Sequence, residues 1–393
     1  MSTPFFPHLD RESEIRRAVQ SLCSKFPLDY WDKHDLEHEF PEEFYQDFAK
    51  SGFLSILVPT EYGGSGGTIS EMAAALEEVA AGGGGQNACA SVHIPLLAVP
   101  AISTFGTEEQ KQKYLPQIAE GKLFVTFGVT EPDAGTDTTK IKTAGVLKDG
   151  RYIVNGSKVW NSGALRGDKI LLLARTSTPA PGERRGNGLT LFLTDLRADT
   201  VEVRAIPKIG RNAVPSCEVF FSDHPIPESD IIGEVGQGFY HILHSLNAER
   251  LFLASEALGI GRWALLNARQ YAQDRVVFGR QIGKNQAVQH PLAKSYVQIL
   301  AASEVVCAAL DAYAEQGASA IGTLANAAKY LATEAEFQAT DTAMQVFGGY
   351  SYAREYHVGR HWIEARLQRV APVNNDMVLN YLAERELDLP RSY

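Results

Sequence analysis

The sequence predicts a multidomain α+β protein with an N-terminal α-helical domain, a middle antiparallel β domain and a C-terminal four-helix bundle. Apolar residues recur at helical spacing through 1–122, and short β-branched runs replace them through 123–235. Long helical patterns return through 236–393. Because strands and helices are segregated along the chain rather than alternating, a doubly wound nucleotide-binding fold is not expected.

In the first domain, apolar residues at helical spacing predict a helix over 69–80. The glycine run at 82–85 is expected to end that helix, and Pro95 and Pro100 are expected to bend or interrupt the next one. Thr107 stands before a further helical stretch and has the character of an N-cap residue.

Short β-branched and aromatic runs define the middle domain. The strongest local pattern is a predicted hairpin, in which 152–154 and 157–160 are joined by a turn at Asn155 and Gly156. Other predicted strands lie at 123–130, 169–174, 189–193, 201–206 and 218–221.

The third domain is predicted to contain four helices. Helical patterns cover 238–273, 285–314, 319–345 and about 373–387. The chain has neither a GxGxxG nor a GxxxxGK[ST] motif, so the usual NAD and P-loop interpretations are not supported.

Composition narrows the class of protein. The chain has 393 residues, of which 45% are hydrophobic and 21% charged, with a net charge of −10. A body of this size buries roughly three quarters of the surface of its unfolded chain and needs no disulfide or metal to fold. The acidic balance argues against nucleic acid or an anionic membrane as a partner.

Cysteine usage and the N-terminus suggest a location. The four cysteines form no CxxC motif and are expected to be buried free thiols in a reducing compartment. The N-terminus has no apolar targeting segment, and no uninterrupted apolar run approaches the ~20 residues of a membrane helix. We therefore expect a cytoplasmic protein.

Three stretches could carry chemistry, although each also has an ordinary structural interpretation. The loop VTEPDAGTD at 129–137 offers closely spaced backbone N–H groups and hydroxyls, suited to a planar polar ring or a phosphate, or it is simply a structured loop. Trp160 beside Ser162 could cover a flat ligand or be a core residue. Gly348 and Gly349 could allow close approach of a pyrophosphate or end a helix.

Taken together and in order, four motifs resemble those of the acyl-CoA dehydrogenase family. VTEPDAGTD is similar to the family's TEPxAGSD, and NGSKVWNSG is similar to NGxKxWITNG. DRVVFGRQI resembles the R-x-x-FG segment, and QVFGGYSYAREYHVGR resembles QxxGGxGYxxEYxxxR. The family's order of helical domain, β domain and helical bundle agrees with the organisation expected from the residue patterns.

The resemblance implies bound FAD and no metal. Residues implied for the isoalloxazine side are Phe127, Val129, Thr130, Trp160 and Ser162, with Thr136 nearby in the same loop. Residues implied for the adenosine diphosphate part, usually of a neighbouring subunit's flavin, are Arg275, Phe278, Gln286, Gln345, Gly348 and Gly349. Residues implied for the acyl-CoA channel are Thr136, Asn247 and Arg250, although Arg250 could instead brace neighbouring segments.

The position of the catalytic base departs from the commonest family pattern. Most members carry the base as the first Glu of a YEGTxE motif, but Pro372 stands at that position here. A minority, the isovaleryl-CoA and long-chain types, carry it in an ERL stretch, which resembles the segment around Glu249. Helical spacing places Glu249 on an apolar face, and desolvation there would raise its pKa toward the range that α-proton abstraction needs.

Pro372 raises a second question, because it has no N–H to polarise the thioester carbonyl. Either Ala371 or Val373 donates instead, or the carbonyl is held in another way. Asn374 and Asp376 fall where the family has a flavin-contacting Thr and a second Glu, so the resemblance implies cofactor contacts for both.

The activity implied by the resemblance is FAD-dependent α,β-dehydrogenation of an acyl-CoA thioester, with Glu249 as base. An electron-transferring flavoprotein is the implied acceptor, fatty acid metabolism the implied context and a homotetramer the implied assembly. Three alternatives stay open: a carrier-protein-bound acyl or aminoacyl substrate, a flavin monooxygenase or lyase of the same fold, and a folded interaction module without flavin.

Overall fold

The computed structural model describes residues 5–391, except for the side chain of residue 244. The helices of the N-terminal region are α1 (Ser13–Cys23), α2 (Leu28–Glu37), α3 (Glu42–Lys50), α4 (Ile69–Val79), α5 (Gly85–Leu96), α6 (Ala98–Phe105) and α7 (Glu108–Ala119). The later helices are α8 (Gly238–Asp274), α9 (Gln286–Gln316), α10 (Gly322–Phe347), α11 (Val358–Gln368) and α12 (Asn375–Glu386).

Between α7 and α8 lies a seven-stranded sheet. Its strands are β1 (Val125–Gly128), β2 (Ala144–Lys148), β3 (Arg151–Ser162), β4 (Lys169–Arg175), β5 (Leu189–Asp195), β6 (Val201–Ala205) and β7 (Ser216–Pro227). The strand order is β1-β4-β2-β3-β7-β6, with β5 also pairing with β4. Pairing is antiparallel except that β1 and β2 each run parallel to β4. A short hairpin of β8 (Val276–Val277) and β9 (Arg280–Gln281) follows α8.

Local sequence explains how the first helices begin and end. Thr107 forms a capping box at the start of α7, as its position predicts. The glycine run joins α4 to α5 through a π-helical turn, Ala80–Gly84, in which Gly83 has a φ of +92° that few other residues adopt. The chain breaks again between α5 and α6, just after Pro95.

The predicted hairpin at Asn155 and Gly156 is wrong, because β3 runs straight through both residues. The turn instead lies at Asp149 and Gly150, whose φ angles of +51° and +72° suit a tight two-residue connection. Asn155 bonds across the sheet to Asp223 at 2.9 Å. At Gly156, a Cβ atom would come within 2.6 Å of the backbone of a neighbouring segment, so the glycine serves close strand approach.

The C-terminal helices pack as a bundle. Helices α8, α9 and α10 lie side by side, α11 contacts α8 and α10, and α12 lies against α10. Helix α11 was not expected from the sequence. The N-terminal helices α4, α5 and α6 also pack on α8, so this helix is shared by both helical regions.

Two helical stretches are long and apolar enough to cross a membrane by length and composition, which the sequence did not predict. They are Ile69–Phe105 and Gln286–Gln316. The apolar window of the first is 78% buried inside the protein, as in the core helix of a folded domain. The second is 39% buried and forms one side of the C-terminal bundle.

Candidate active site

Three hydrogen bonds join the end of β1 and the residues just after it to the end of β3. The three hydrogen bonds run from Thr126 Oγ1 to the Ser162 carbonyl (2.6 Å), from Asn161 Nδ2 to the Phe127 carbonyl (2.6 Å) and from Val159 N to the Thr130 carbonyl (2.9 Å). The residues that the resemblance implies for the isoalloxazine ring are therefore brought together, apart from Thr136, which is exposed farther along the loop.

Trp160 is the most exposed member of this group. Its residue is 58% exposed and its φ is +64°, a strained value for a bulky residue. Phe127 and Val129 are half-buried beside it. An open indole next to apolar side chains and hydroxyls is a surface that a flat, partly polar ring would cover, so these residues fit the flavin that the resemblance implies.

A buried ion pair supports the loop beneath this surface. Lys158 Nζ lies 2.9 Å from Glu131 Oε1 and donates to the Val129 carbonyl at 3.0 Å, while Glu131 also accepts from two backbone N–H groups. Burial lowers the pKa of Lys158 to about 8. Burial acts to raise the pKa of Glu131, but the Lys158 charge and the backbone donors outweigh it and lower that pKa. These bonds hold the loop in one conformation. Lys158 and Glu131 lie within the two motifs, but neither was predicted to have a role.

The residues implied for the adenosine diphosphate part lie on a separate surface. They are Arg275, Phe278, Gln286, Gln345, Gly348 and Gly349, and all are exposed. The Arg275 guanidinium lies 5.7 Å from the ring centroid of Tyr350, which joins the β8–β9 hairpin to the end of α10. No hydrogen bond, ion pair or ring contact within 5–391 connects this surface to Trp160.

Glu249 lies on the buried side of α8. The residue is 9% exposed, and Ile242 and Phe252 on the same helix are 1% exposed. Its Oε2 atom is buried without a hydrogen-bond partner among the described residues. Burial raises the pKa of Glu249, while the charges of His93 and Arg250 oppose that rise. This agrees with the prediction that desolvation perturbs the carboxyl.

His93 on α5 faces the same part of α8. Its Nδ1 lies 2.8 Å from Glu256 Oε1, and Glu256 also accepts from Gln86 Nε2 at 2.7 Å. Burial acts to lower the pKa of His93, but the charge and hydrogen bond of Glu256 outweigh it and raise that pKa. Its Nε2 is buried and has no partner in the described part of the chain. The charge of this imidazole acts to lower the pKa of Glu249.

The segment between β6 and β7 bonds on one side to Ser162, next to Trp160, and on the other side to α5, the helix that carries His93. Arg211 Nη2 donates to Ser162 Oγ at 2.7 Å, and the backbone N–H of Ala213 donates to Asn87 Oδ1 on α5 at 3.0 Å. The Arg211 charge also acts on the pKa of His93. No motif or residue pattern points to Arg211 as a site residue.

Pro372 and its neighbours form a structural loop. Lys329 Nζ donates to the Val373 carbonyl at 2.8 Å and to Asn375 Oδ1 at 2.6 Å. The N–H of Ala371 is engaged by the Leu367 carbonyl. Of the two donors expected near Pro372, only the N–H of Val373 is left without a backbone partner in the described residues.

The two residues after this loop have local roles. Asn374 Oδ1 accepts from the Met377 N–H at 2.8 Å and caps α12, and Asp376 is exposed in the first turn of that helix. Neither side chain has a contact to the Trp160 group among the described residues.

Asn247 and Arg250 bond to each other. Arg250 Nη1 donates to Asn247 Oδ1 at 2.6 Å, and Asn247 Nδ2 donates to the Ala318 carbonyl at 2.7 Å. This pair ties α8 to the connection between α9 and α10. That arrangement favours bracing over substrate contact for both residues.

Comparison with known proteins supports the resemblance over the whole chain. Family models for the N-terminal, middle and C-terminal domains of acyl-CoA dehydrogenase match residues 10–122, 126–224 and 236–387. The chain is 33% identical over 393 residues, 100% of both chains, to the acyl-CoA dehydrogenase fadE12 of Mycobacterium bovis.

Two solved structures are also similar. A glutaryl-coenzyme A dehydrogenase bound to glutaryl-CoA is 28% identical, with a TM-score of 0.91 over 100% of this chain and 98% of that one. A chain of an electron transferring flavoprotein of Acidaminococcus fermentans is 29% identical, with a TM-score of 0.87 over 98% of this chain and 99% of that one. The predicted fold class is confirmed, and the chain belongs to the acyl-CoA dehydrogenase family, a family of oxidoreductases.

Proposed function

We propose that the protein is an FAD-dependent dehydrogenase of acyl-CoA thioesters that forms an α,β double bond, with Glu249 as its catalytic base. The observation that carries the proposal is the buried carboxyl of Glu249, whose Oε2 has no partner among the described residues. Pro372, at the position that most of the family uses for the base, cannot accept a proton. The glutaryl-CoA complex of a similar protein supports a CoA thioester as the substrate class.

In this proposal Glu249 takes the proton from the carbon α to the thioester. Its burial keeps water from competing for the carboxylate and raises its pKa, so the carboxylate is a stronger base than one in water. The nearby His93, whose pKa is raised, limits how far that shift goes. FAD, when bound, accepts the hydride that leaves the β carbon.

The FAD ring would rest on the surface around Trp160, with Ser162 and Thr130 supplying hydroxyls. The N–H of Val373 is the backbone donor we propose for the thioester carbonyl, because Ala371 is already engaged. One such donor contributes on the order of 3 kcal/mol in oxyanion sites.

We further propose that the active form is a homotetramer in the cytoplasm that passes electrons to an electron-transferring flavoprotein. Phe278 is fully exposed at the tip of the β8–β9 hairpin, and Arg275 stands beside it. Val276 and Val277 of the same hairpin are also exposed, and a contiguous apolar patch of this kind is a feature of interaction surfaces. A neighbouring subunit's cofactor would cover it.

The test uses the purified full chain. We expect one FAD per chain, bleaching of the flavin absorbance when an accepted acyl-CoA is added without oxygen, and a product two hydrogens lighter. A panel of short, branched, long and aromatic acyl-CoA thioesters identifies the acyl group.

Other outcomes overturn the proposal in distinct ways. A protein that binds no flavin is an interaction module, and bleaching only by a carrier-protein thioester shifts the substrate class. Fast oxygen uptake with an oxygenated product indicates a monooxygenase.

A further inference from the structure

Arg211 occupies an unusual position for a charged residue. It follows β6 with a φ of +55°, and its Nη2 donates to Ser162 Oγ at 2.7 Å. A longer contact of 3.4 Å reaches Ser216 Oγ. The Nε atom is buried without a hydrogen-bond partner in the described part of the chain. One side of the guanidinium is therefore directed at hydroxyls, while the residue as a whole is partly buried.

The charge of Arg211 is also not paired. No carboxylate within 5–391 forms an ion pair with it, and Glu256 and Glu364 act on it only through space. Burial lowers the pKa of Arg211. A partly buried cation without a carboxylate partner is screened less than an exposed one, so its field acts on the groups it touches, first of all Ser162.

A second cation lies next to the first. Lys208 Nζ donates to the carbonyls of Gly210 and Arg211 and has no carboxylate in ion-pair contact among the described residues. Burial, followed by the Arg211 charge, lowers the pKa of Lys208 to about 7. Lys208 is thus a second basic group beside Arg211, and it is only partly protonated near neutral pH.

The hydrogen bond from Arg211 restricts the direction of the Ser162 O–H. A serine oxygen that accepts from a guanidinium must aim its own hydrogen elsewhere, since the donor occupies one lone pair. No acceptor for that hydrogen is found among the described residues. A hydroxyl that accepts from a charged donor is polarised and becomes a stronger donor itself.

We propose that Arg211 is a positioning residue for the cofactor, which polarises the Ser162 hydroxyl toward the flavin ring and so raises the flavin's affinity for electrons. This inference rests on the proposed function, because it needs FAD beside Ser162. A ring that gains electrons gains negative charge density, and a polarised hydroxyl donor stabilises that state more than the oxidised one.

The test measures the midpoint reduction potential of the FAD-bound enzyme by equilibration with redox dyes. Arg211→Gln keeps a hydrogen-bond donor and removes the charge. We expect the ratio of reduced to oxidised flavin at a fixed potential to fall about tenfold, which is about 30 mV for two electrons. Arg211→Lys, which keeps the charge, is expected to recover most of that shift.

Two further variants separate this role from a structural one. Arg204→Gln removes an exposed positive charge from β6 and should leave the potential near that of the wild type. In a Ser162→Ala background, Arg211→Gln should add little further shift, because both act through one hydroxyl. Fully additive shifts, or an unchanged potential in Arg211→Gln, overturn the inference.

The outcomes distinguish this inference from the proposed function. If the wild type binds no FAD, the proposed function fails first. If FAD binds and acyl-CoA bleaches it but the potential ignores Arg211, only the inference fails. If Arg211→Gln gives no folded enzyme, Ser162→Ala alone must lower the potential, and an unchanged value is a refutation.

Discussion

Helix α8 and the loop at 370–375 differ in what their polar atoms do. On α8, the carboxyl of Glu249 is buried among apolar side chains, and its Oε2 has no described partner. In the loop, Pro372 is exposed, and Lys329 on α10 donates to the Val373 carbonyl and to Asn375 Oδ1. The contrast indicates that the Glu249 carboxyl is available to react because the fold leaves Oε2 unbonded. The bonded groups around Pro372 instead hold the loop in place.

The difference also affects how precisely a side chain is positioned. A helix of 37 residues that packs against both helical regions holds a side chain more firmly than a loop does. If the base lies on α8, the 370–375 loop does not have to supply it. The loop can instead position the N–H of Val373.

Removing the carboxylate from α8 gives the largest expected effect. For Glu249→Gln we expect kcat to fall by about 10³–10⁴, since general-base catalysis contributes up to that factor. The measurement is steady-state turnover with an accepted acyl-CoA and an artificial acceptor. Flavin content should be unchanged.

Glu336→Gln is the matched control. Glu336 on α10 is also buried, with both carboxyl oxygens unpartnered among described residues, and burial raises its pKa. It should keep turnover within about threefold of the wild type, because it lies outside the proposed machinery. Equal losses in Glu249→Gln and Glu336→Gln would mean that buried carboxyls matter here only for folding.

Shortening the base gives the next largest effect. Glu249→Asp retracts the carboxylate by one methylene, and a misplacement of about 1 Å can cost about 10²-fold. We expect kcat to fall by about that factor with the flavin retained. Full activity in this variant would show that the carboxylate is not held at a fixed distance from the substrate.

The pH profile is expected to change by about tenfold per unit on its acid side. Because burial raises the pKa of Glu249, the carboxylate is lost as pH falls through that pKa, and kcat/KM falls with it. The His93 charge lowers the same pKa, so His93→Gln should move the acid limb to higher pH. An acid limb at the same pH in His93→Gln would contradict an influence of His93 on the pKa of Glu249.

Loss of the lysine that holds the loop should affect stability more than catalysis. Lys329→Met leaves the Val373 carbonyl without its side-chain donor and leaves Asn375 Oδ1 with only a long bond from Thr333 Oγ1, at about 1–3 kcal/mol for a lost donor. We expect a lower Tm by calorimetry and a kcat within tenfold of the wild type. An unchanged Tm would contradict a structural role for the loop.

The order of elements and the fold class could be predicted from residue patterns. Thr107 was identified as a cap because its side chain acts within one turn, and Glu249 was placed on a buried face because helical spacing is local. Such features depend on near neighbours in the chain.

What failed depended on distant partners. Asn155 and Gly156 have the composition of a turn, but the cross-sheet bond to Asp223 and the close approach of Thr143, just before β2, hold them within β3. The role inferred for Arg211 depends on its hydrogen bond to Ser162, which lies 49 positions away in the chain. No local pattern reports contacts of that kind.

Exchange of the α hydrogen tests the role of Glu249 most directly, since it needs neither an acceptor nor hydride transfer. A thioester such as 3,3-dimethylbutyryl-CoA has α hydrogens and no β hydrogen, so only proton abstraction can occur. In D₂O, mass spectrometry should show deuterium entering the α position with the wild type and Glu336→Gln, and about 10³-fold more slowly with Glu249→Gln. Exchange at the wild-type rate in Glu249→Gln would contradict the assignment of the base.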